Sequence, residues 1–324
     1  MAKTNKAAIM SLVDKINKKE GQGTLYTIDS KYANLKIDRW STGLADLDEI
    51  IGGGMPEGRV IEIFGAEGSG KTTLVYHLCS LHSLCLDLPV EGTFDVNRAK
   101  VFGNKKGQML IYRAKYGEDA FNKILKFSQA GIPLICVDSV PSMIPKDGFE
   151  KIYKAAEKDS IEQQKIGGVA SLFTTYLPPI EEVIENTGTT LIFVNQIRDK
   201  IGALPFGEQT HTMGGHKLQH ADSLKIRVAR RAWIEIPNKN PQNSATTEKV
   251  GFIMKCKVEK SKVCNPLGEC EIPCFFDRGF VSFDDVPAIR KELMEQRAEM
   301  YSKRKAKNID VEEDEESWDD DGEE

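Results

Sequence analysis

A glycine-rich segment that ends in lysine and threonine is the strongest chemical signal in the sequence. Residues 65–72 read Gly-Ala-Glu-Gly-Ser-Gly-Lys-Thr and match the pattern GxxxxGK[ST] in full. Glycines let backbone N–H groups surround phosphate oxygens, Lys71 can reach the β- and γ-phosphates, and the Thr72 hydroxyl can ligate Mg²⁺. An apolar run, Val60–Phe64, precedes the segment and a helical pattern follows it, which is the context that a phosphate-binding loop requires rather than a chance glycine turn. The candidate cofactor-binding residues are Gly65, Ala66, Glu67, Gly68, Ser69, Gly70, Lys71, Thr72 and Thr73.

Two carboxylates stand where they could serve a bound nucleotide. Asp138 follows four apolar residues, so it has the form of a Walker B aspartate that would hold Mg²⁺ together with Thr72. The alternative is that Asp138 caps the next turn through Ser139. Glu91 follows a second apolar run and could orient and deprotonate a water molecule, although most such glutamates are solvated surface residues.

The charge of the chain is divided unevenly along its length. The formal net charge is −5, yet residues 309–324 contain eleven Asp and Glu and no Lys or Arg. Residues 1–308 therefore have 44 basic against 38 acidic residues, a charge of +6. A basic body permits a polyanionic partner, and the acidic segment cannot bury enough surface to fold alone, so we expect it to be disordered.

Composition limits the cellular locations that are compatible with the sequence. Because the sequence has no run of eighteen apolar residues, we expect no membrane span, and the charged N-terminus is not typical of a secretory signal. The seven cysteines show no framework spacing, which predicts reduced thiols and a cytoplasmic location. Cys264, Cys270 and Cys274 lack a CxxC pair, and we favour buried thiols over zinc there.

Alternation of apolar strands with helices predicts an α/β fold with a mostly parallel sheet. The clearest predicted strands are Val60–Phe64, Leu84–Leu86, Met109–Tyr112, Leu134–Val137 and Leu191–Val194. The helices Thr72–Leu81 and Ala120–Gln129 separate some of them. Residues 3–19 have helical spacing and Thr24–Ile28 has the pattern of a short strand, a unit too small to form its own core.

Several segments together resemble the bacterial and bacteriophage RecA recombinases over roughly residues 8–280. One is Ser41-Thr42-Gly43-Leu44, which leads through Gly58–Ile63 into the phosphate loop. Another, more specific than the phosphate loop, is Leu191–Arg198 followed by Met213-Gly214-Gly215. The short region after Phe280 makes a bacteriophage-type member the better match.

The resemblance implies a RecA-like P-loop ATPase core and a DNA-dependent ATPase that uses ATP and Mg²⁺. It implies filaments on single-stranded DNA and homologous pairing and strand exchange with duplex DNA, in recombination and repair in a bacterial or phage-infected cytoplasm. The expected regions are an N-terminal polymerisation helix and strand (1–35), the core with its DNA-binding loops (36–285), a charged helix (286–308) and the disordered acidic tail (309–324). The tail could bind a single-strand-binding protein or a loading mediator.

Motif positions imply roles for individual residues. Glu91 falls on the glutamate that activates water, Gln196 on the glutamine that senses the γ-phosphate, and Asp138 on the Walker B aspartate. Asp95 and Arg98 fall near the adenine pocket, where Arg98 replaces a common aromatic residue. The two lysines expected to reach a neighbouring subunit's ATP, and so to act in catalysis beside Lys71, are Lys260 and Lys262.

Two segments are expected to contact DNA. The first, about 146–168, is lysine-rich, and the second, 196–215, combines basic residues, glycines and an aromatic, a composition suited to sequence-tolerant binding of single strands. The candidate DNA-binding residues are Lys165, Arg198, Lys200, Phe206, Gly214 and Gly215. Without the resemblance, each segment could be an ordinary surface loop.

Two other functions fit the same core. A hexameric helicase or repair motor would lack the N-terminal unit and the signature around residues 195–215, and both are present. A signalling ATPase would show no DNA-stimulated hydrolysis. His216 and His220 stand four residues apart, but no carboxylate completes a metal site with them, so we do not predict one.

Overall fold

The computed structural model describes residues 5–21, 24–27, 30, 37–92, 94–156, 168–199, 210–238 and 246–316. Within these ranges the side chains at 152–156, 198–199, 210–211 and 303–316 are left undescribed. The chain divides into two compact units, Met1–Asp38 and Arg39–Glu324.

The N-terminal unit contains the helix α1, Lys6–Glu20. Asn5 caps it by accepting a hydrogen bond from the Ala8 N–H, and the chain leaves it at Gly21. The predicted strand at 24–28 is not formed by its described residues 24–27. Because a strand needs a pairing edge, this short segment cannot form one by itself. The apolar side chains of Ile9, Met10 and Leu12 of α1 are exposed, and those of Val13 and Ile16 are half-buried.

The second unit alternates helices and strands as predicted, around a central sheet. Its helices are α2 (Ala45–Ile50), α3 (Lys71–Ser80), α4 (Val96–Val101), α5 (Gly117–Gln129), α6 (Lys146–Ala156), α7 (Gly168–Thr187), α8 (Gly215–Ala221) and α9 (Val286–Glu316). Its strands are β1 (Arg39–Trp40), β2 (Met55–Pro56), β3 (Val60–Gly65), β4 (Cys85–Pro89), β5 (Met109–Ile111), β6 (Leu134–Asp138), β7 (Thr190–Asp199), β8 (Thr210–Thr212), β9 (Leu224–Pro237), β10 (Thr247–Ser261), β11 (Glu269–Phe275) and β12 (Gly279–Phe280).

The strand order confirms the predicted fold class. The sheet runs β12-β11-β10-β9-β3-β7-β6-β4-β5, and the pairs from β9 to β5 are parallel. The strands β10, β11 and β12 extend it in antiparallel fashion, and β8 pairs antiparallel with β7. Since parallel strands end on the same side, β3, β4, β6 and β7 deliver their following residues to one edge of the sheet.

Helices cover both faces of the sheet and bury it. One core contains α3 and the inner residues of β3 and β10, and a second lies beneath α5 and α7. In the second core the ring of Phe173 meets the rings of Phe121 and Phe193 edge to face, with centroids 5.2 and 5.1 Å apart. This aromatic cluster fixes β7 and its neighbour β6 against the helices.

The helix α9 is longer than the sequence predicts. Its first turns pack Ile289 and Leu293 against Ile234 and Ile236 of β9. The helix continues to Glu316, eight residues past the predicted end of the charged helix at 308, and the expected disorder of the acidic segment 309–324 stays a prediction. A helix that is already nucleated by packing extends at little cost, and glutamate is a good helix former. Residues 317–324 lie outside the described residues.

Truncating the aromatic cluster should loosen the part of the sheet that leads to the predicted site. Phe193 is 0% exposed, so Phe193→Ala should lower the free energy of unfolding by about 3–5 kcal/mol. Phe283, which is 45% exposed, provides the control, and Phe283→Ala should change it by less than about 0.5 kcal/mol. Guanidinium unfolding followed by tryptophan fluorescence measures both. Equal losses would show that the cluster does not stabilise the sheet.

Candidate nucleotide-binding site

The phosphate loop connects the buried strand β3 to the helix α3. Gly70, with φ of 98°, caps α3 in a left-handed conformation that favours glycine. A Cβ at this position would lie 2.7 Å from Met254 Cε and 2.9 Å from Phe252 Cε2, so the loop can pass β10 only with glycine here. The N-terminus of α3 thus directs its free N–H groups and positive dipole end at the loop, which suits a phosphate.

Lys71 is held inside the loop by two of its backbone carbonyls. Its Nζ donates to Gly65 O at 3.1 Å and to Ala66 O at 2.8 Å. Burial lowers the pKa of Lys71, while the carboxylates of Asp138, Glu91 and Glu67 act in the opposite direction. A buried ammonium group that faces only carbonyls and nearby carboxylates is ready to pair with a phosphate.

Thr72 and Asp138, the two predicted metal ligands, are in direct contact. Thr72 Oγ1 donates to Asp138 Oδ2 at 2.6 Å. Burial raises the pKa of Asp138, Glu91 raises it further, and the hydrogen bond from Thr72 and the charge of Lys71 oppose the increase. A cation would relieve the cost of this buried carboxylate, and a hydroxyl beside a carboxylate is the oxygen donor set that Mg²⁺ prefers. The residues present therefore fit Mg²⁺.

Glu91 and Gln196 meet at the same edge of the sheet. Gln196 Nε2 donates to Glu91 Oε1 at 2.9 Å, and Ser139 Oγ donates to the same oxygen. The contact arises because β4, β6 and β7 are successive neighbours whose ends lie together. Sequence reasoning treated Ser139 only as part of a turn and missed this contact, because the pairing of distant strands creates it.

A cleft beside the loop has aromatic walls. Arg98 Nη2 lies 3.4 Å from Thr73 Oγ1, and the guanidinium carbon lies 5.5 Å from the ring centroid of Phe276. Asp95 caps α4 by accepting from the Arg98 N–H at 3.0 Å. The cleft has a volume of about 330 Å³. Its lining includes Gly70, Thr72, Thr73, Arg98, Arg230, Trp233, Phe252 and Phe276. A planar base could stack between a guanidinium and aromatic rings there.

The antiparallel part of the sheet supplies further residues that the sequence did not indicate. Arg230 Nη1 donates to Gly68 O at 2.9 Å, and its guanidinium carbon lies 3.9 Å from the ring centroid of Trp233. Phe276 follows β11. These three residues are far from the motifs in sequence. The pairing of β9 with β3, of β10 with β9 and of β11 with β10 brings them to the loop.

The second predicted DNA segment begins as a hairpin whose base is anchored in the protein. In the hairpin Arg198 of β7 lies opposite His211 of β8. Asn195 Nδ2 donates to Glu62 Oε1 at 2.8 Å and to Met213 O at 2.7 Å, and so it ties the hairpin to the phosphate-loop strand. Lys225 Nζ lies 2.9 Å from Glu62 Oε2 and donates to Thr212 Oγ1 at 3.0 Å.

The remaining predicted residues are placed as follows. Gly214 caps α8 in a left-handed conformation and Gly215 begins that helix. Lys260 contacts the Asp222 carboxylate, and Lys262 donates to His220 O. The backbone of Arg198 is described, but its side chain is not. The predictions for Lys165, Lys200 and Phe206 fall outside the described residues.

The described residues give three further observations on composition-based expectations. The seven cysteines are free, and those on β10 and β11 include the buried Cys256 and Cys274. Across the ranges given above, the His, Cys, Asp and Glu side chains form no group of three that could hold a metal ion. In the same ranges, a helix with the length and apolar character needed to cross a bilayer is not found.

Comparison with known proteins agrees with this geometry. Residues 7–281 match the model of the RecA N-terminal domain. The chain is 33% identical over 285 residues to Protein RecA of Campylobacter hominis, which covers 86% of this chain and 77% of that protein. It is 36% identical over 279 residues to Protein RecA of Helicobacter pylori strain G27, which covers 84% of this chain and 75% of that protein. With the phosphate loop, its carboxylates and the anchored hairpin in place, these matches show that the chain belongs to the RecA family of ATP-dependent DNA recombinases, which act in recombination and repair.

Proposed function

We propose that this chain assembles into a filament on single-stranded DNA, pairs that strand with homologous duplex DNA, and uses ATP to switch between DNA-binding states. The observation that supports the switch is the hydrogen bond between Gln196 and Glu91. Gln196 lies on β7, the strand that leads directly into the hairpin of the second DNA segment. A change at the nucleotide can therefore alter the hairpin through one strand.

The loop residues bind and orient the phosphates. Lys71 exchanges its bonds to two backbone carbonyls for bonds to the β- and γ-phosphates. Thr72 and Asp138 would hold Mg²⁺, which neutralises charge on the phosphate oxygens when bound. Arg98 and Phe276 stack on the base, and Asp95 stays at the N-terminus of α4 beside it.

Glu91 acts as the general base, because its carboxylate stands at a strand end beside the phosphate site and can take a proton from the attacking water. Gln196 senses the γ-phosphate, because its amide can leave Glu91 and donate to a phosphate oxygen instead. When ATP is bound, the contact of Gln196 with the γ-phosphate favours one arrangement of the hairpin. After hydrolysis Gln196 returns to Glu91, and the hairpin returns to its other arrangement. The free energy available for switching equals the difference in ATP affinity between the two arrangements.

Assembly and DNA binding use surfaces outside the pocket. Ile9, Met10 and Leu12 are exposed on α1, as a docking helix requires. Arg198, Lys200 and Phe206 of the second segment and Lys165 of the first contact DNA, with Gly214 and Gly215 at the hinge of the hairpin. Lys260 and Lys262 reach the neighbouring subunit's nucleotide. The protein acts in the cytoplasm of a bacterium or phage-infected bacterium, and the acidic segment 309–324 modulates DNA binding or binds a mediator.

The first test removes the proposed base without changing its shape. Glu91→Gln should retain ATP binding and lower hydrolysis by about 10²–10⁴-fold, because general-base catalysis is lost while the metal-site residues remain. The matched control is Glu185→Gln, since Glu185 is a surface residue paired with Arg59. Single-turnover hydrolysis with single-stranded DNA measures both variants. Hydrolysis by Glu91→Gln at the parental rate would remove Glu91 from the chemistry.

The second test addresses the switch itself. In the parental protein a non-hydrolysable ATP analogue should tighten binding to single-stranded DNA. In Gln196→Ala the affinities with and without the analogue should converge to within about threefold, because the link from the phosphate to β7 is lost. Gln296→Ala, an exposed substitution on α9, should leave the ATP effect intact. Fluorescence anisotropy gives the affinities, and a full ATP effect in Gln196→Ala contradicts the proposal.

The third test concerns the acidic segment. Ending the chain at Asn308 removes eleven acids that can compete with DNA for a body of charge +6. DNA binding should tighten, most at low salt, because the Debye length falls from ~10 Å at 0.1 M to ~3 Å at 1 M. Trp318→Ala in the full chain separates the two proposed roles, since it keeps every charge and removes the aromatic residue that a docking peptide would use. Equal affinities of full-length and truncated chains at every salt concentration would exclude self-competition.

A further inference from the structure

The C-terminal end of α8 is closed by two lysines from the end of β10. Lys260 Nζ donates to Asp222 O at 3.0 Å, and also to Gln219 O and to the Asp222 carboxylate. Lys262 Nζ donates to His220 O. The last carbonyls of a helix have partial negative charge and lack partners within the helix, so cations stabilise them. Both lysines therefore rest on their own subunit.

Besides capping the helix, Lys260 forms an ion pair with the buried carboxylate of Asp222. Its side chain is 0% exposed, whereas that of Lys260 is 35% exposed. A carboxylate buried in this way needs a cation beside it, and losing the cation costs more than losing a surface ion pair. Lys260 can also be withdrawn, because its side chain still has access to solvent.

The charged and titratable groups near Asp222, apart from Lys260, lie on β3, β9 and α8. Lys225 of β9 is nearby but is paired with the buried Glu62 of β3, at 2.9 Å. Glu62 raises the pKa of Asp222, and His220 lies two residues before it on α8. Burial, the largest influence, raises the pKa of Asp222 to about 6 even with Lys260 in place. Lys260 is thus the cation that directly contacts Asp222.

We propose that Asp222 is a positioning residue that holds Lys260 on its own subunit, so that Lys260 reaches a neighbouring subunit's nucleotide only after this ion pair opens. The inference rests on the proposed role of Lys260 in the filament. The proposal adds that the Asp222 carboxylate competes with the neighbouring subunit's nucleotide for the Lys260 ammonium group, so that Lys260 leaves a carboxylate rather than water when it binds the nucleotide.

The location of the pair links its opening to DNA. The helix α8 begins at Gly215, directly after the hairpin that Asn195 anchors through Met213. Movement of the hairpin on DNA therefore moves the acceptors of Lys260. Once Lys260 leaves, Asp222 is buried without its partner, its pKa rises further, and it takes up a proton near neutral pH.

The decisive variant is Asp222→Asn, which keeps the shape of the side chain and removes its charge. Hydrolysis of ATP without DNA should rise roughly three- to tenfold, the range for one partly exposed charged hydrogen bond, and stimulation by DNA should fall by the same factor. Glu259→Gln is the matched control, because Glu259 is adjacent to Lys260 but pairs with Arg227. In a Lys260→Ala background Asp222→Asn should have no further effect.

The outcomes separate this proposal from the proposed function. Mixed filaments of Lys260→Ala and Lys71→Ala subunits should regain activity if Lys260 acts on the neighbouring subunit, and no rescue in any mixture would overturn that role. If Lys260→Ala is impaired but Asp222→Asn behaves as the parent, the role of Lys260 stands and the ion-pair proposal fails. An effect of Asp222→Asn that persists in Lys260→Ala would also overturn it.

A measurement on the parental protein covers the case in which Asp222→Asn does not fold. Calorimetry in two buffers of different ionisation enthalpy counts the protons taken up when single-stranded DNA and a non-hydrolysable ATP analogue bind together. The parental protein should take up as much as about one proton per subunit more than Lys260→Ala, in which Asp222 is already neutral. Equal uptake by the two proteins would overturn the proposal.

Discussion

Parallel pairing of β3, β7, β6 and β4 is the constraint on which the site depends. It brings the phosphate loop, Asp138, Gln196 and Glu91 to one edge, although more than a hundred residues separate Gln196 from Glu91. Each strand is buried by helices on both faces, so a shift of one strand would disturb packing as well as chemistry. The hydrogen bond between Gln196 and Glu91 is therefore a property of the whole sheet, and a small change at the phosphate has a rigid element, β7, through which to act.

Buried charge connects this edge to the hairpin of β7 and β8. Glu62 is 0% exposed and is contacted from two sides: Asn195 donates to Oε1, and the Lys225 ammonium group lies 2.9 Å from Oε2 as an ion pair. Such a network costs desolvation energy that apolar residues would avoid, so its value lies in fixing one arrangement rather than in stability. Here the arrangement that it fixes is the position of the hairpin base relative to the strand that ends in the phosphate loop.

Local pattern was enough to predict the parallel half of the fold and the residues at its strand ends. The phosphate loop, Asp138 and the apolar runs before them are defined by residue types within a few positions, and a buried strand needs little else. Phe276, Trp233 and Arg230 could not be predicted in this way, because the long pairing of β9 with β10 decides what faces the loop. The strand predicted at 24–28 is not formed by its described residues 24–27, because a strand pattern by itself does not supply a pairing partner. The extension of α9 beyond residue 308 reflects cooperative helix propagation from its packed first turns, which composition alone does not reveal.

Lys71 and Lys260, which we propose bind the phosphates of the same nucleotide from adjacent subunits, both donate to backbone carbonyls of their own subunit in this structure. Lys71 donates to carbonyls of its own loop, and Lys260 donates to carbonyls at the end of α8. A carbonyl offers only a dipole, so a phosphate with full charge can displace it at modest cost, and the N–H donors remain bonded throughout. Lys260 differs from Lys71 in also having the Asp222 carboxylate, which competes with phosphate as one anion with another. In the proposed mechanism Lys71 would be available whenever ATP arrives, whereas Lys260 would respond to the state of the hairpin and of the neighbouring subunit. This difference would make hydrolysis depend on assembly.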